Sequence, residues 1–310
     1  MKIAFVFPGQ GSQSVGMLDR FADQPAVRDV LASAGAALGE DLGALIAGGP
    51  AEQLNLTVNT QPAMLAAGVA IYRAWLAAGG VTPAVMAGHS LGEYTALTAA
   101  QAVPLEAALK LVRFRAQAMQ EAVPAGSGGM AAILGLSDEQ VAQACAEAAQ
   151  GEVVEAVNFN APSQVVIAGH AAAVGRACEA AKRRGAKRAL PLPVSAPFHC
   201  SLLAPAAQRL RERLRGEPIG SPQVAVINNI DVATESEPDR IRDALARQAA
   251  GPVRWAEIIR RMAAEGVTHV VECGPGRVLA GLTRRIAPDL ESLALTDPAT
   301  IDEALARLRG

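Results

Sequence analysis

The stretch from Val85 through Gly88-His89-Ser90-Leu91-Gly92-Glu93-Tyr94 constrains this chain more than any other. A short apolar strand, Val85-Met86-Ala87, runs into a sharp turn at Ser90 and then into a helix through Ala96 to Ala100. Gly88 and Gly92 flank the serine in G-x-S-x-G spacing, the sequence form of a nucleophile elbow. In such a turn the backbone before and after the serine nearly touches, and side chains at 88 and 92 would hold it apart. The turn lifts the Ser90 hydroxyl to a helix N-terminus, where unpaired amides and the helix dipole favour developing negative charge. That arrangement suits acyl transfer through a serine. A bare G-x-S-x-G also arises by chance, but here strand and helix flank it on the required sides.

An elbow of this kind needs core strands around it. Ile3-Ala4-Phe5-Val6-Phe7 reads as a first strand that stops at Pro8, too short an apolar run for a secretory signal. Val224 to Asn229 and His269 to Glu272 read as further core strands. Between them lie helical stretches at Met17 to Leu54, Pro62 to Val81, Leu105 to Gln120, Leu203 to Arg215, Arg240 to Ala249 and Trp255 to Glu265. Cys273-Gly274-Pro275-Gly276-Arg277 reads as a glycine turn packing near the elbow. The pattern changes at Gly126-Ser127-Gly128-Gly129, which reads as a hinge. After it come a strand from Met130, a helix capped by Ser137, strands at Val153 to Asn158 and Val165 to Gly169, a helix from Ala171 and a strand from Ala186 to Leu192. The order β-α-β-β-α-β is ferredoxin-like. The expected fold is therefore α/β: a large α/β-hydrolase-like catalytic domain with a mostly parallel sheet (1–125 and 195–310), plus a smaller inserted ferredoxin-like α+β subdomain (126–194).

With 51% hydrophobic and 19% charged residues among 310, the chain has the makings of a sizeable core. A net charge of -2 gives no overall basicity to attract nucleic acid. The most apolar stretch, Pro62 to Val81, is interrupted by Tyr72 and Arg73 and reads as a buried helix, not a membrane span. Cys145, Cys178, Cys200 and Cys273 stand far apart without C-x-x-C spacing, which indicates neither a zinc site nor a disulfide framework. These features lead us to expect a cytoplasmic protein with no metal or redox cofactor and neither nucleic acid nor membrane as a partner; a monomer is the expected state, though no feature of the sequence fixes it.

A serine hydroxyl becomes a nucleophile only when a base within hydrogen-bond reach takes its proton. His89 adjoins Ser90, but adjacent side chains at an elbow point apart, so it is expected to pack against the strand–helix unit. His170 reads as a turn residue and His269 as a structural residue at a strand start. His199 follows the small subdomain in the Pro-containing segment that returns to the large one, beside the cleft, and is the best base by elimination and place. No carboxylate is evidently placed as a third member. Asp231 and Glu272 qualify only because they end strands, and a backbone carbonyl would orient the imidazole equally well. Gln10, in the loop Gly9-Gln10-Gly11 after the first strand, reads as either an ordinary turn or part of a site at a strand end. Gln61 reads as a helix-start residue. Cys200, facing away from its neighbour His199 in an extended segment, is discounted as a nucleophile.

Four motifs carry a resemblance: FPGQGSQ at Phe7 to Gln13, GHSLGEY at Gly88 to Tyr94, NFNAPSQVVIAG at Asn158 to Gly169, and GPGRVL at Gly274 to Leu279. In order and spacing, over essentially the whole chain, they resemble the malonyl-CoA:acyl carrier protein transacylase family. The resemblance implies a two-step transfer, with Ser90 as nucleophile and His199 as base. It further implies an oxyanion hole at the amides of Leu91 and Gln10, and a main-chain carbonyl at Gln248 that orients His199. It matches Arg115 to the arginine that clamps the malonyl carboxylate, and Gln61 and Asn160 to positions lining the site. The implied partners are malonyl-CoA and acyl carrier protein. Ala196-Pro197-Phe198-His199 departs from the small residue that bacterial members often have at Phe198. It is similar instead to malonyl-selective acyltransferase domains of polyketide synthases, so Phe198 is expected to disfavour methylmalonyl. Carrier proteins are acidic, and Lys187, Arg188 and Arg285 are the expected docking cations. The rival readings are a serine hydrolase, a non-catalytic carrier-docking subunit, and the same chemistry serving a polyketide carrier.

Overall fold

The computed structural model describes residues 1–308. In chain order its strands are β1 (Ile3–Phe7), β2 (Val85–Gly88), β3 (Gly128–Leu134), β4 (Val154–Ala161), β5 (Gln164–His170), β6 (Arg188–Pro191), β7 (Ala225–Ile227), β8 (His269–Cys273) and β9 (Glu291–Leu295). The molecule is mixed α/β, with one parallel sheet and a separate antiparallel one.

The parallel sheet runs in the order β7-β2-β1-β8-β9. A strand covered on both faces has no polar side to show, which is why IAFVF reads as an unbroken apolar run. Phe5 and Phe7 face the helix Thr57–Ala77, where Phe5 meets Tyr72 and Trp75 edge to face at 5.6 and 5.5 Å. Ala4 and Val6 belong to the opposite core, with Trp255, Ile258 and Ile259 of the helix Trp255–Ala264. The helix Thr57–Ala77 is buried nearly all round, and no helix of the described residues is long and apolar enough to cross a membrane.

The antiparallel sheet has the order β4-β5-β3-β6. Ala131, Ile133, Val165 and Ile167 pack beneath the helices Asp138–Ala149 and Ala171–Arg183. The alternate residues Met130, Ala132, Val166 and Ala168 pack against the core of the parallel sheet. The first of these helices opens on a capping box, with Ser137 accepting from the Gln140 amide and the Gln140 side chain accepting from the Ser137 amide.

Two expectations need correction. Gly128 and Gly129 are not a hinge: they open β3, paired with His170 and Gly169. A Cβ on Gly128 would strike the ring of Pro197, so glycine there lets the segment before His199 lie against the sheet. The strand β9 and the helix Pro298–Leu308 were not foreseen. β9 is an edge strand, half-exposed and carrying Glu291 and Ser292, and so lacks the apolar run that marks its neighbours.

Candidate active site

Ser90 stands just beyond the carboxyl end of β2, with φ 53° and ψ -109°. This conformation is costly for a non-glycine residue and has to be held by its surroundings. A Cβ on Gly88 would overlap the carbonyl of Gly92, and one on Gly92 would overlap the carbonyl oxygen of Phe7 at the end of β1. Asn229, just beyond β7, fastens the turn from below. Its Oδ1 accepts from the Ser90 amide at 2.7 Å and its Nδ2 donates to the Gly88 carbonyl at 2.7 Å. Gln248 Nε2 donates to the Ser90 carbonyl at 2.9 Å.

His199 reaches the serine from the segment that follows β6, itself at a positive φ of 67°. Its Nε2 lies 2.6 Å from Ser90 Oγ, and its Nδ1 lies 2.9 Å from the Gln248 carbonyl oxygen. A carbonyl can only accept, so Nδ1 carries the proton and Nε2 presents its lone pair to the serine hydroxyl. Burial, and then the positive charge of Arg115, hold the imidazole down to a pKa of about 3. It is therefore neutral at pH 7 and free to take a proton. Neither carboxylate considered for a triad approaches it: Asp231 pairs with Arg247 at 2.7 Å, and Glu272 accepts from the Ala280 amide of the helix Val278–Ile286 at 2.8 Å.

Arg115 projects from the helix Leu105–Glu121 and is 2% exposed. It donates to Gln61 Oε1 at 2.8 Å, Gln248 Oε1 at 2.9 Å and Ser90 Oγ at 3.2 Å, and its carbon stands 5.2 Å over the Tyr94 ring. Its Nε is buried without a partner. A buried guanidinium with donors to spare is a receptor for a carboxylate. The helix Leu91–Ala99 begins at the elbow, and its Gly92 and Glu93 amides are taken by the His89 and Ser90 carbonyls at 2.9 and 3.1 Å. The Leu91 amide is left as an end donor with no acceptor in its own helix. Gln10, after β1, lines the same cavity as Leu91.

The cavity brings together Gln10, Gln61, Ser90, Leu91, Arg115, Phe198 and His199 of the expected set. Asn160 is not on its wall: its Oδ1 meets His89 Nε2 at 2.8 Å, and Asn158 lines the cavity in its place. β4 has register irregularities around Val157 and Asn160, which break the simple alternation of faces. His89 packs on Trp255 with ring centroids 5.6 Å apart, and it also lines the cavity. Burial lowers its pKa.

Lys187, Arg188 and Arg285 lie outside the cavity and are exposed. Leu134 stands opposite Gln164 on one side and Arg188 on the other, and Arg285 bonds the Gln164 side chain and the Pro162 carbonyl. The three cations thus sit at one end of the antiparallel sheet. Lys182, Arg183 and Arg184 are instead paired with Glu179 and Glu147. Sequence reasoning missed the side chains of Glu93, Asn229 and Gln248, all buried beneath the turn.

The chain matches the model of the acyl transferase domain family over residues 4–292. It is 56% identical over 305 residues to the malonyl CoA-acyl carrier protein transacylase of Escherichia coli strain K12, covering 98% of this chain and 99% of that protein. The acyl-carrier-protein S-malonyltransferase of Burkholderia pseudomallei 1710b superposes with a TM-score of 0.98 at 65% identity, over 99% of this chain and 100% of that one. A malonyl-transacylase solved in complex with a type II PKS acyl-carrier protein superposes with a TM-score of 0.98 at 51% identity, over 99% and 100% of the two chains. With a serine elbow at its centre and likeness running nearly end to end, the chain belongs to the acyl transferase family, alongside the malonyl CoA-acyl carrier protein transacylases.

Proposed function

We propose that this chain transfers a malonyl group from malonyl-CoA to the phosphopantetheine thiol of acyl carrier protein, supplying fatty acid synthesis, through a malonyl-serine intermediate. One observation carries the reading. Ser90 Oγ lies 2.6 Å from a neutral imidazole nitrogen and 3.2 Å from a buried guanidinium, so nucleophile, base and carboxylate receptor share one cavity. A general esterase has no use for the third.

In the first half-reaction His199 Nε2 takes the Ser90 proton as Oγ bonds the thioester carbon. The tetrahedral oxyanion is received by the amides of Leu91 and Gln10. Collapse breaks the C–S bond, and the proton on His199 passes to the departing CoA thiolate. In the second, His199 takes the proton of the carrier thiol. Sulfur attacks the ester carbon, and the proton returns to Ser90 Oγ as the C–O bond breaks. The Gln248 carbonyl holds His199 in its tautomer throughout. Arg115, steadied by Gln61, binds the malonyl carboxylate; an acetyl group would leave it buried and unpaired. Phe198 fills space on the cavity wall that the branch of methylmalonyl needs. We assign Asn160 to the support of His89 rather than to substrate.

The docking surface on this reading is the cationic row of Lys187, Arg188 and Arg285. Along β3, Leu134 opposite Arg188 and Met130 on the cavity wall stand about 13 Å apart at ~3.3 Å per residue. That lies within the length of an extended phosphopantetheine. The residues 126–194 form the inserted subdomain: the two helix crossovers and the strand order β4-β5-β3-β6 support a ferredoxin-like arrangement. Residues 1–125 and 195–310 form the catalytic domain, and the elbow at a parallel sheet supports an α/β-hydrolase-like reading of it. Every group the reaction needs comes from one chain, which is consistent with a monomer. The PKS-carrier complex of a 51% identical transacylase keeps a polyketide carrier open as an alternative client.

The test is transfer itself. Malonyl-CoA and holo acyl carrier protein should yield malonyl carrier and free CoA at matched rates with native protein, and none with Ser90→Ala. Release of free malonate in place of malonyl carrier would point to a hydrolase and sink the proposal. On methylmalonyl-CoA, Phe198→Ser should raise the rate relative to malonyl-CoA by about tenfold, the order expected for relieving one crowded methyl; an unchanged ratio would remove Phe198 from specificity.

A further inference from the structure

Glu93 stands in the first turn of the helix behind Ser90, 2% exposed, and does not line the cavity. Its Oε2 accepts from Gln248 Nε2 at 2.9 Å and from the Asn229 amide at 2.8 Å. The same Gln248 nitrogen donates to the Ser90 carbonyl at 2.9 Å, while Gln248 Oε1 accepts from Arg115 at 2.9 Å. A carboxamide has a donor end and an acceptor end of nearly the same shape, so its orientation is set by its neighbours alone. Here the donor end faces a carboxyl oxygen and a carbonyl, and the acceptor end faces a guanidinium that can only donate. Turned over, the amide would set oxygen against oxygen and N–H against N–H in a buried site, where unmade bonds are costly.

We propose that Glu93 is a positioning residue: it locks the Gln248 amide in the orientation that holds Arg115, and so sets the preference for acyl groups that end in a carboxylate. Without Glu93 the amide keeps one acceptor, the Ser90 carbonyl, and Arg115 keeps only Gln61 and the Ser90 hydroxyl as assured acceptors. His199 keeps its orientation from the Gln248 main chain, whereas the Asn229 main-chain amide loses its acceptor, which loosens the turn beneath Ser90 for both acyl groups alike. Burial raises the Glu93 carboxyl to a pKa of about 7. Both its protonation states therefore occur near neutrality, and each has an oxygen to accept with. The lock requires that acceptor, not the charge. The proposal rests on the malonyl-transfer reading.

The experiment compares rates of acyl-enzyme formation from malonyl-CoA and acetyl-CoA by intact mass, in the native protein, Glu93→Gln, Glu93→Met, Gln248→Met and the double variant Glu93→Met/Gln248→Met. Glu93→Met should lower the malonyl-to-acetyl ratio at least tenfold, beyond any loss common to both acyl groups that follows from freeing the Asn229 amide. Glu93→Gln, which keeps an acceptor, should retain the native ratio within threefold. Adding Glu93→Met to Gln248→Met should change the ratio no further, because the two act in series. Equal loss of both acyl rates in Glu93→Met, additive effects in the double variant, or loss of preference in Glu93→Gln would each overturn the proposal. Should Glu93→Met not fold, Glu93→Asp withdraws the acceptor by a methylene with the charge kept, and a native ratio there would overturn it equally. A native protein that takes up no malonyl group would instead sink the transfer reading itself.

Discussion

Arg115 acts on two neighbours at once. It offers a binding partner to a carboxylate, and its charge, second to burial, helps depress the basicity of His199. On the malonyl-transfer proposal, a carboxylate on Arg115 cancels that charge, so the acyl group itself strengthens the base that activates Ser90. Removing the charge should therefore move the acid limb of Ser90 reactivity upward. The rate of inactivation by a sulfonyl fluoride, followed against pH, should fall off at higher pH in Arg115→Met than in the native protein; superimposable profiles would contradict the coupling. In the sequence Ser90 is marked by its elbow motif and His199 by elimination and place, while Arg115 rests on the family resemblance alone. Glu93, Asn229 and Gln248 were not read as a network, because their bonds join positions 136 to 158 residues apart and nothing local announces such a bond. Asn160 misled for a different reason: irregularities in β4 cannot be seen in a run of alternating side chains.

Among the elements, helix ends bear much of the electrostatics. Glu272, next to last in β8, is fully buried against the amides that open the helix Val278–Ile286, with its Oε1 unpartnered. Burial raises its pKa to about 7 from 4.5, against the pull of those amides. A carboxyl whose folded pKa is raised favours the native state below its unfolded pKa, and that advantage is lost as pH climbs through the folded one. Glu272→Gln should therefore stabilise the protein at pH 8 by about 1–3 kcal/mol, at 1.36 kcal/mol per pKa unit, and change little at pH 4.5. Urea midpoints at the two pH values measure it, and a loss of stability at pH 8 would mean that the charge–amide attraction outweighs desolvation. At the other sheet, Ser137→Ala should cost about 1 kcal/mol through loss of the capping box, read in the same titration. The core strands and most helices were legible from hydrophobic periodicity. β9 was not, since an edge strand can be half polar and still pair.

Across the whole molecule, the two sheets divide the work. The parallel sheet holds Ser90, Asn229 and the Gln10 loop at its strand ends, while the antiparallel sheet contributes Met130 and Asn158 to the cavity wall and the segment after β6 brings in His199. The net charge of -2 hides the local cationic row at one end of the antiparallel sheet. On the docking proposal, Arg188→Glu and Arg285→Glu should each raise KM for carrier protein severalfold at low ionic strength, leave acylation by malonyl-CoA unchanged, and lose that effect as salt screens the surface. Equal effects at high and low salt would move the docking surface elsewhere. The central claim is that Ser90 carries the malonyl group, and intact-protein mass after mixing with malonyl-CoA alone tests it most directly. The account predicts one malonyl adduct on the native chain, none on Ser90→Ala, persistence in buffer and discharge on addition of carrier protein. An adduct that survives Ser90→Ala, or none on the native chain, would contradict it.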